Sequence, residues 1–381
     1  IMLESIVVYS FTALILYQLA LPYLNPNCSR KFWTADMIWS VIVFAFIAGA
    51  RYKVGVDYIG YLNSYNEILS GEELYRDDFE IGFLLISRLL AILDAHFFFF
   101  FALWASVQIG FVYSAMKDSR YIIPYLALCI MLGPYFLTWM NGIRQTVVAC
   151  AFVWAVRFIK EQRLKPYLLF IALAYTIHHS ALILLPFYLL GRKKEVSDTT
   201  AKNLIILFIC IFLGSTPTWI SSLSFLGPLL DTVGFDRYGG VFDAMNEGVT
   251  KLVRFDWGPT KIAALLLEIL IIIYYPKMRK QFQQTKIDMF FLLFFIGICW
   301  YYLVMNTVHQ MIRPTEYFTI FRLPMTAYLL YYLKKVIRRE DIFLFACILC
   351  FSYIAITIYK GYINPVDSYS TVLYHFFFEK V

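Results

Sequence analysis

Long apolar runs alternate with short polar breaks along this chain, and the runs are bilayer-sized. Residues 204–213, 262–275 and 290–304 are nearly cleared of charge. With their flanks such runs reach about 20 residues, the length a helix needs to cross a hydrocarbon core. The longest polar-leaning stretches span about 30 residues, too few for a soluble domain. The pattern predicts an all-α polytopic integral membrane protein, with residues 1–381 forming a single membrane-embedded domain. It suggests about 10–12 transmembrane helices, some of them broken or interfacial. The first run, residues 6–21, is preceded by Glu4 and no basic cluster, so it reads as an ordinary span rather than a cleavable signal.

Charge in the breaks gives a topology. Basic breaks fall at Arg30-Lys31 and at residues 117–120, 157–165, 192–194, 277–286 and 334–339. These are expected in the cytoplasm. Between them lie breaks poorer in positive charge: residues 51–80, 139–145, 222–257, 306–317 and the tail after Lys360. The alternation places these outside, with residues 222–257 as a long outer loop.

Two stretches break the simple count. Residues 81–116 hold about twice the apolar length of one span. Glu80 and Arg88 interrupt residues 79–93, which are expected to form an amphipathic helix along the outer interface, within an outer region 51–96. Residues 166–190 lie between two basic breaks and so must cross an even number of times. Their polar interruption is His178-His179-Ser180, where two half-helices would meet. The alternative is one ordinary span with residues 192–194 outside. Broken helices are tolerated in membranes only where they line a buried or watery cavity, which makes the His pair a site candidate.

Composition narrows the class. The chain is 61% hydrophobic and 15% charged, with a mean hydropathy of +0.67. Soluble domains are nearer half apolar and a quarter charged. The net charge of +7 would suit nucleic acid, but the Lys and Arg residues sit in short breaks between spans, so no nucleic-acid partner is expected. The seven Cys residues do not form a disulfide framework; Cys347 and Cys350 have CxxC spacing within an apolar run and read as core. Neither an internal repeat nor an inverted pair of broken segments is visible, which disfavours a secondary transporter.

The candidate chemistry lies in the outer breaks. Arg51, Lys53, Gly55, Asp57 and Tyr58 follow the second span, with Tyr61 and Tyr65 beyond them. Cations outside run against the positive-inside trend. Arg51 would be a bidentate phosphate ligand and Lys53 a point charge, with Asp57 orienting Arg51 or taking a proton. Interfacial snorkelling around one ion pair is an equal alternative. Arg144 and Gln145 open another span, where helix-start amides already favour anions; a simple helix start with a snorkelling Arg explains them as well. His178 and His179 lie deep in an apolar stretch, where an ionisable group is costly and suits proton transfer. A histidine bonded to a neighbouring helix is the plain alternative, and adjacent residues point to different helix faces.

Arg313, Glu316, Tyr317 and Arg322 form a second outer group, with His309 nearby. Arg322 lies about two turns into its span, so it either serves a site or pairs with a buried carboxylate. Glu268 is such a carboxylate and is expected to partner an arginine. The 222–257 loop carries Asp236, Arg237 and Tyr238 beside other carboxylates and aromatics, as a saccharide surface requires; a solvated loop is equally plain. P-loop, DxD, GxSxG and zinc spacings are absent, so neither a metal nor a cofactor is expected. Outward-facing arginines suit a lipid-linked pyrophosphate.

Several strings resemble the EpsG-like branch of the O-antigen and capsule polymerases (Wzy). They are Arg51…Gly55-Val56-Asp57-Tyr58…Tyr61, Phe79-Glu80-Ile81-Gly82-Phe83, Arg144-Gln145, His179-Ser180…Pro186 and Arg313…Glu316-Tyr317-Phe318, in order along most of the chain. The resemblance implies a GT-C-like fold in the bacterial inner membrane, with its active site facing outward. It implies a metal-independent glycosyltransferase that moves a growing glycan from undecaprenyl pyrophosphate onto another lipid-linked repeat unit. Donor and acceptor, the bilayer and a chain-length regulator would be the partners. By the same resemblance Arg51 and Arg144 would hold the pyrophosphate, and Asp57, Glu80 and His179 would position or deprotonate the acceptor hydroxyl. Val56 departs from the family's usual Thr, and His178 adds a second histidine before Ser180.

Three rivals remain. A membrane acyltransferase decorating a surface glycan also uses intramembrane His, but needs a thioester donor from the cytoplasmic side. A flippase for lipid-linked sugars needs charges along a cavity through the whole membrane and two pseudo-symmetric halves. A structural partner subunit has no need of a deep Arg322 or a His pair.

Overall fold

Lipid offers backbone N–H and C=O groups no partner, so apolar runs close their own hydrogen bonds as helices. The protein is represented by a computed structural model that describes residues 1–72, 79–192, 199–216, 255–283, 285–364 and 372–379. In chain order the helices are α1 (Met2–Ala20), α2 (Ala35–Ala50), α3 (Tyr58–Ser70), α4 (Ile81–Ile92), α5 (Phe97–Ala115), α6 (Ile123–Leu132), α7 (Tyr135–Asn141), α8 (Ile143–Lys160) and α9 (Leu164–Ile177). A 3₁₀ segment (His179–Arg192) follows. Then come α10 (Thr200–Ser215), α11 (Pro259–Gln281), α12 (Ile287–Val304), the single turns α13 (His309–Ile312) and α14 (Glu316–Thr319), α15 (Arg322–Tyr331) and α16 (Glu340–Ile363).

Among the described residues four helical stretches are long and apolar enough to cross a membrane: Met2–Tyr23, Phe97–Ala115, Ile287–Val304 and Glu340–Ile363. A fifth combines Lys117–Leu132 with Tyr135–Asn141, bent by 62°. Gly133 and Pro134 stand at the bend, where a missing proline N–H interrupts the ladder. Shorter apolar helices, including Ala35–Ala50, Leu164–Ile177 and Thr200–Ser215, accompany them. The protein is thus an all-α, multi-pass membrane protein. Fewer than the expected 10–12 crossings are full-length apolar helices; the remainder of that expectation rests on short or broken ones. Phe11, Trp39, Phe212 and Ile348 leave large apolar surface exposed, as a lipid-facing rim requires.

Side chains tie the breaks into two groups. Arg120 donates to the Arg30 carbonyl at 2.6 Å, Lys286 pairs with Asp118 at 2.5 Å, and Lys160 donates to the Thr285 carbonyl at 2.6 Å. The basic breaks therefore gather at one end. At the other, the Asp57 N–H donates to Asn141 at 2.8 Å, and the Gln145 amide to the Arg313 carbonyl at 2.6 Å. The Phe255 N–H donates to Asn306, and the Tyr52 N–H to the His375 carbonyl, both at 2.8 Å. This is the grouping the loop charges predict.

The 166–190 stretch runs out from the basic end and returns to it. The Tyr167 hydroxyl, near the start of α9, donates to the Leu184 carbonyl at 2.6 Å. Further along, a Cβ on Gly191 would collide with the Ile159 carbonyl and the Gln162 side chain. The chain reverses at His178, which is extended (φ −156°, ψ 117°). Two half-elements thus meet at the His pair, and residue 192 lies with the basic breaks rather than opposite them.

The helix α4 falls within the expected amphipathic segment. Ile81, Leu85, Leu89 and Ile92 form an exposed apolar stripe, and Phe83 and Ser87 are buried on the other side. It approaches α9 so closely that a Cβ on Gly82 would collide with Thr176. That approach seats Glu80, the residue capping α4, against the turn at His178.

Candidate functional site

Glu80 organises the non-basic end. Its side chain is only 4% exposed, and it meets two elements at once. One carboxylate oxygen accepts from Arg144 Nη1 at 2.5 Å. The other lies 2.8 Å from His178 Nδ1 and accepts from the His179 N–H at 3.2 Å. Burial alone would raise its pKa, but the hydrogen bond to His178 and the charge of Arg144 outweigh that and hold it at about 2. Glu80 is therefore a fixed anion that locks Arg144 and His178 in place. The Arg144 guanidinium also lies 4.7 Å from the Phe79 ring centroid.

A polar cavity of about 280 Å³ opens beside this cluster. Arg144, Gln145, Asp57, His178, Arg313 and Glu316 contribute to its wall. Residues from α8, the start of α3, the α9 turn and the α13–α14 region, far apart in sequence, thus face one space. The Arg313 guanidinium makes neither a hydrogen bond nor an ion pair among the described residues; its carbonyl receives the Gln145 amide. It is exposed and available to an anion. Burial raises the Glu316 carboxyl to about 7; Arg313 opposes this and Asp57 adds to it.

A second, larger cavity of about 480 Å³ adjoins the first. Tyr135, Trp139, Phe255, Tyr301 and Tyr302 supply aromatic surface, and Lys261 reaches it with its ammonium donating to the Tyr301 hydroxyl at 2.7 Å. Thr138, His309 and Glu316 line both cavities and so form the shared wall.

Several expected site residues lie elsewhere, for visible reasons. Arg51 is fully buried, and its donors are taken by carbonyls: Nε to Val54 at 3.2 Å, Nη1 to Ala48 at 2.5 Å and Nη2 to Met140 at 3.2 Å. In this arrangement it braces the chain and lines neither cavity described above. Tyr58 is buried with it, stacked on Phe101 at 4.8 Å, and lines neither cavity. Lys53 is exposed and stands 5.2 Å from the Tyr52 ring, outside both cavities. Arg322 lines the larger cavity but is ion-paired with buried Glu268, which also accepts from the Tyr302 hydroxyl at 2.9 Å. Its charge is spent within the bundle, the alternative open for it from sequence. Tyr317 is buried, its hydroxyl 2.8 Å from that of Ser180. Of the His pair, His178 faces the cavity, whereas the His179 ring is exposed and lies 4.6 Å from the Tyr175 ring. Asp236, Arg237 and Tyr238 lie outside the described residues.

The site also recruits Asn141, together with Tyr61, His309 and Glu316, which the sequence analysis named without a role. Glu316 had a usable signal: three residues after Arg313, it shares a helical face with it. Nothing in the sequence marked Thr138. No curated protein and no solved structure matches this chain. The sequence model of the EpsG family does, over residues 37–376, a stretch that takes in every residue of both cavities. The chain belongs to the EpsG family.

Proposed function

We propose that this protein is a polysaccharide polymerase. It would join undecaprenyl-pyrophosphate-linked repeat units at the outer face of a bacterial inner membrane, transferring the growing glycan onto an acceptor repeat without a metal ion. The observation that carries the reading is the polar cavity, where Arg144 and Arg313, the latter without an ion pair among the described residues, share a wall with carboxylates and His178 at the end away from the basic breaks. The positive-inside trend assigns that end to the outside.

The chemistry fits the cavity. A pyrophosphate-linked sugar is already activated, so the main demand is to stabilise negative charge developing on the leaving group. Two guanidinium groups supply it, Arg144 held rigid by Glu80 and Arg313 free to close on the phosphate. His178, its Nδ1 held against Glu80, places its ring at the cavity edge. Asp57 and Gln145 present polar groups for sugar hydroxyls. Proton removal adds typically ~10²–10⁴-fold, leaving charge stabilisation and positioning with the larger share.

The test is genetic. In its own host the gene is deleted, and surface polysaccharide is run on a gel with wild-type, Arg144→Ala or Arg313→Ala complementation at matched expression. A polymerase predicts lipid cores with at most one repeat in the deletion strain, a ladder with wild type and a weak or missing ladder with either variant. Full-length chains lacking a decoration would indicate the acyltransferase; loss of even the single repeat would indicate the flippase.

A further inference from the structure

The two cavities meet at a wall made by Thr138, His309 and Glu316. The smaller cavity carries Arg144 and Arg313. The larger carries aromatic faces, threonine hydroxyls and the Lys261 ammonium, the mixture that stacks against a sugar ring and bonds its hydroxyls. Among its threonines, the buried Thr326 hydroxyl has no hydrogen-bond partner among the described residues. A transfer between two lipid-linked saccharides needs two sites and a junction where the attacking oxygen meets the anomeric carbon. Resting on the polymerase reading above, we propose that the larger cavity receives the terminal sugar of the acceptor, and that Glu316, in the shared wall, takes the proton from its attacking hydroxyl.

The other carboxylates fit this role less well. Glu80 is committed to Arg144, His178 and the His179 N–H, and its depressed pKa makes it a poor proton acceptor. Asp57 lines only the smaller cavity, and Asp256 only the larger. Glu316 touches both and makes no ion pair among the described residues. Its carboxyl, raised to about 7 by burial, is matched to proton transfer near neutral pH. In the step, the acceptor O–H bond breaks and its proton passes to Glu316. The oxygen forms the new bond to the donor's anomeric carbon, and that carbon's bond to the pyrophosphate oxygen breaks with its electron pair. The charge departs beside Arg144 and Arg313. Deprotonation of Glu316 by water, with His309 adjacent, resets the site.

The pH dependence has a definite sign. The base acts when ionised, so turnover falls as pH drops through about 7, where Glu316 becomes neutral. The titratable and charged groups sharing the smaller cavity with it are Asp57, Tyr61, Arg144, His178, His309 and Arg313. On the larger side they are Asp256, Lys261, Lys360, Tyr135, Tyr301, Tyr302, Tyr353 and Cys350, with Arg322 neutralised by Glu268.

The experiment uses full-length protein in lipid nanodiscs, with the host's undecaprenyl-pyrophosphate repeat unit as donor and acceptor. Turnover is measured from pH 5 to 9 for wild type, Glu316→Gln and Glu316→Asp, and donor binding is measured separately. Glu316→Gln is expected to lower kcat by ~10²–10⁴-fold with donor Kd within about twofold, and to abolish the acid limb. Glu316→Asp should restore part of kcat together with that limb. Lys261→Met should raise KM for the acceptor and leave donor Kd unchanged. Glu316→Gln within about threefold of wild-type kcat, or an unchanged acid limb, overturns the assignment of the base. Equal loss of donor binding in Glu316→Gln and Glu316→Asp gives Glu316 a structural role instead. An unchanged acceptor KM in Lys261→Met removes the acceptor from the larger cavity. If wild type itself forms no polymer, the polymerase reading fails first and this inference with it.

Discussion

Arg51 separates a fold role from a site role, and replacing it by methionine tests which one it has. Methionine keeps a long side chain but removes five N–H donors. The carbonyls of Ala48, Val54 and Met140 then lose a buried donor each. A buried polar group left unsatisfied costs ~1–3 kcal/mol, so three orphans cost several kcal/mol together. The guanidinium's packing is lost as well, since it lies 4.3 Å from the Phe101 ring centroid and 5.3 Å from that of Tyr58. Against this, the variant no longer buries a charge, a saving of several kcal/mol before compensation. A net loss of roughly 2–5 kcal/mol remains. At about 2–4 °C per kcal/mol in domains of 150–250 residues, and about half that in this longer chain, the apparent melting point should fall by about 2–10 °C. The assay is a thermal melt of purified protein in detergent, read by size exclusion and compared at one scan rate, because an apparent melting point depends on scan rate wherever unfolding is irreversible. Donor binding is then measured on the surviving monodisperse fraction. Its Kd should stay within about twofold, whereas Arg144→Met should weaken binding by ~10–100-fold through loss of a charge-assisted contact. An Arg51→Met protein that melts with wild type yet loses donor binding refutes the bracing role and returns Arg51 to the phosphate.

Two further outcomes follow from the same geometry. His178→Ala should lower polymer formation at least tenfold while His179→Ala stays within about threefold on the complementation gel, because the His179 ring stands away from the cavity and its contribution to Glu80 is a backbone N–H; the reverse order would return the role to His179. Glu268→Leu should destabilise by ~3–5 kcal/mol in the detergent melt because it strands a buried guanidinium, and the double variant Glu268→Leu with Arg322→Met should recover most of that loss. Failure of the double variant to recover would mean that Arg322 has a further partner.

The membrane class needed no tertiary information. Uninterrupted apolar length is a local property, and lipid forces such a run to be helical wherever it packs. The two-sided sorting of the breaks was legible for a related reason: insertion reads charge locally, and the pairs Arg30 with Arg120 and Asp118 with Lys286 keep that sorting. The reversal at His178 was one of two readings the loop charges allowed, a return or a single span with residues 192–194 outside, and packing of the two half-elements chose between them.

The division of labour among the arginines was decided only by the fold. Arg51, Arg144, Arg313 and Arg322 carry the same charge in similar local contexts, and a sequence pattern cannot say which has its charge already spent. Arg51 is taken by three carbonyls, Arg322 by Glu268 and Arg144 by a carboxylate that also holds His178, while Arg313 has neither an ion pair nor a side-chain hydrogen bond among the described residues. Apart from Ala48, in the helix that Arg51 ends, each of those partners sits on another element or in a loop whose direction depends on packing. The choice between His178 and His179 has the same origin, because neighbouring residues point apart and only the docking of α4 against α9 decides which ring meets Glu80. Sequence thus set the solvent, the helices and the sorting of the ends, which depend on local hydrophobicity and charge. Which ionisable groups meet, and which remain available to a substrate, depends on contacts between residues such as Glu80 and Arg144 or Gln145 and Arg313, distant along the chain and joined only by tertiary packing.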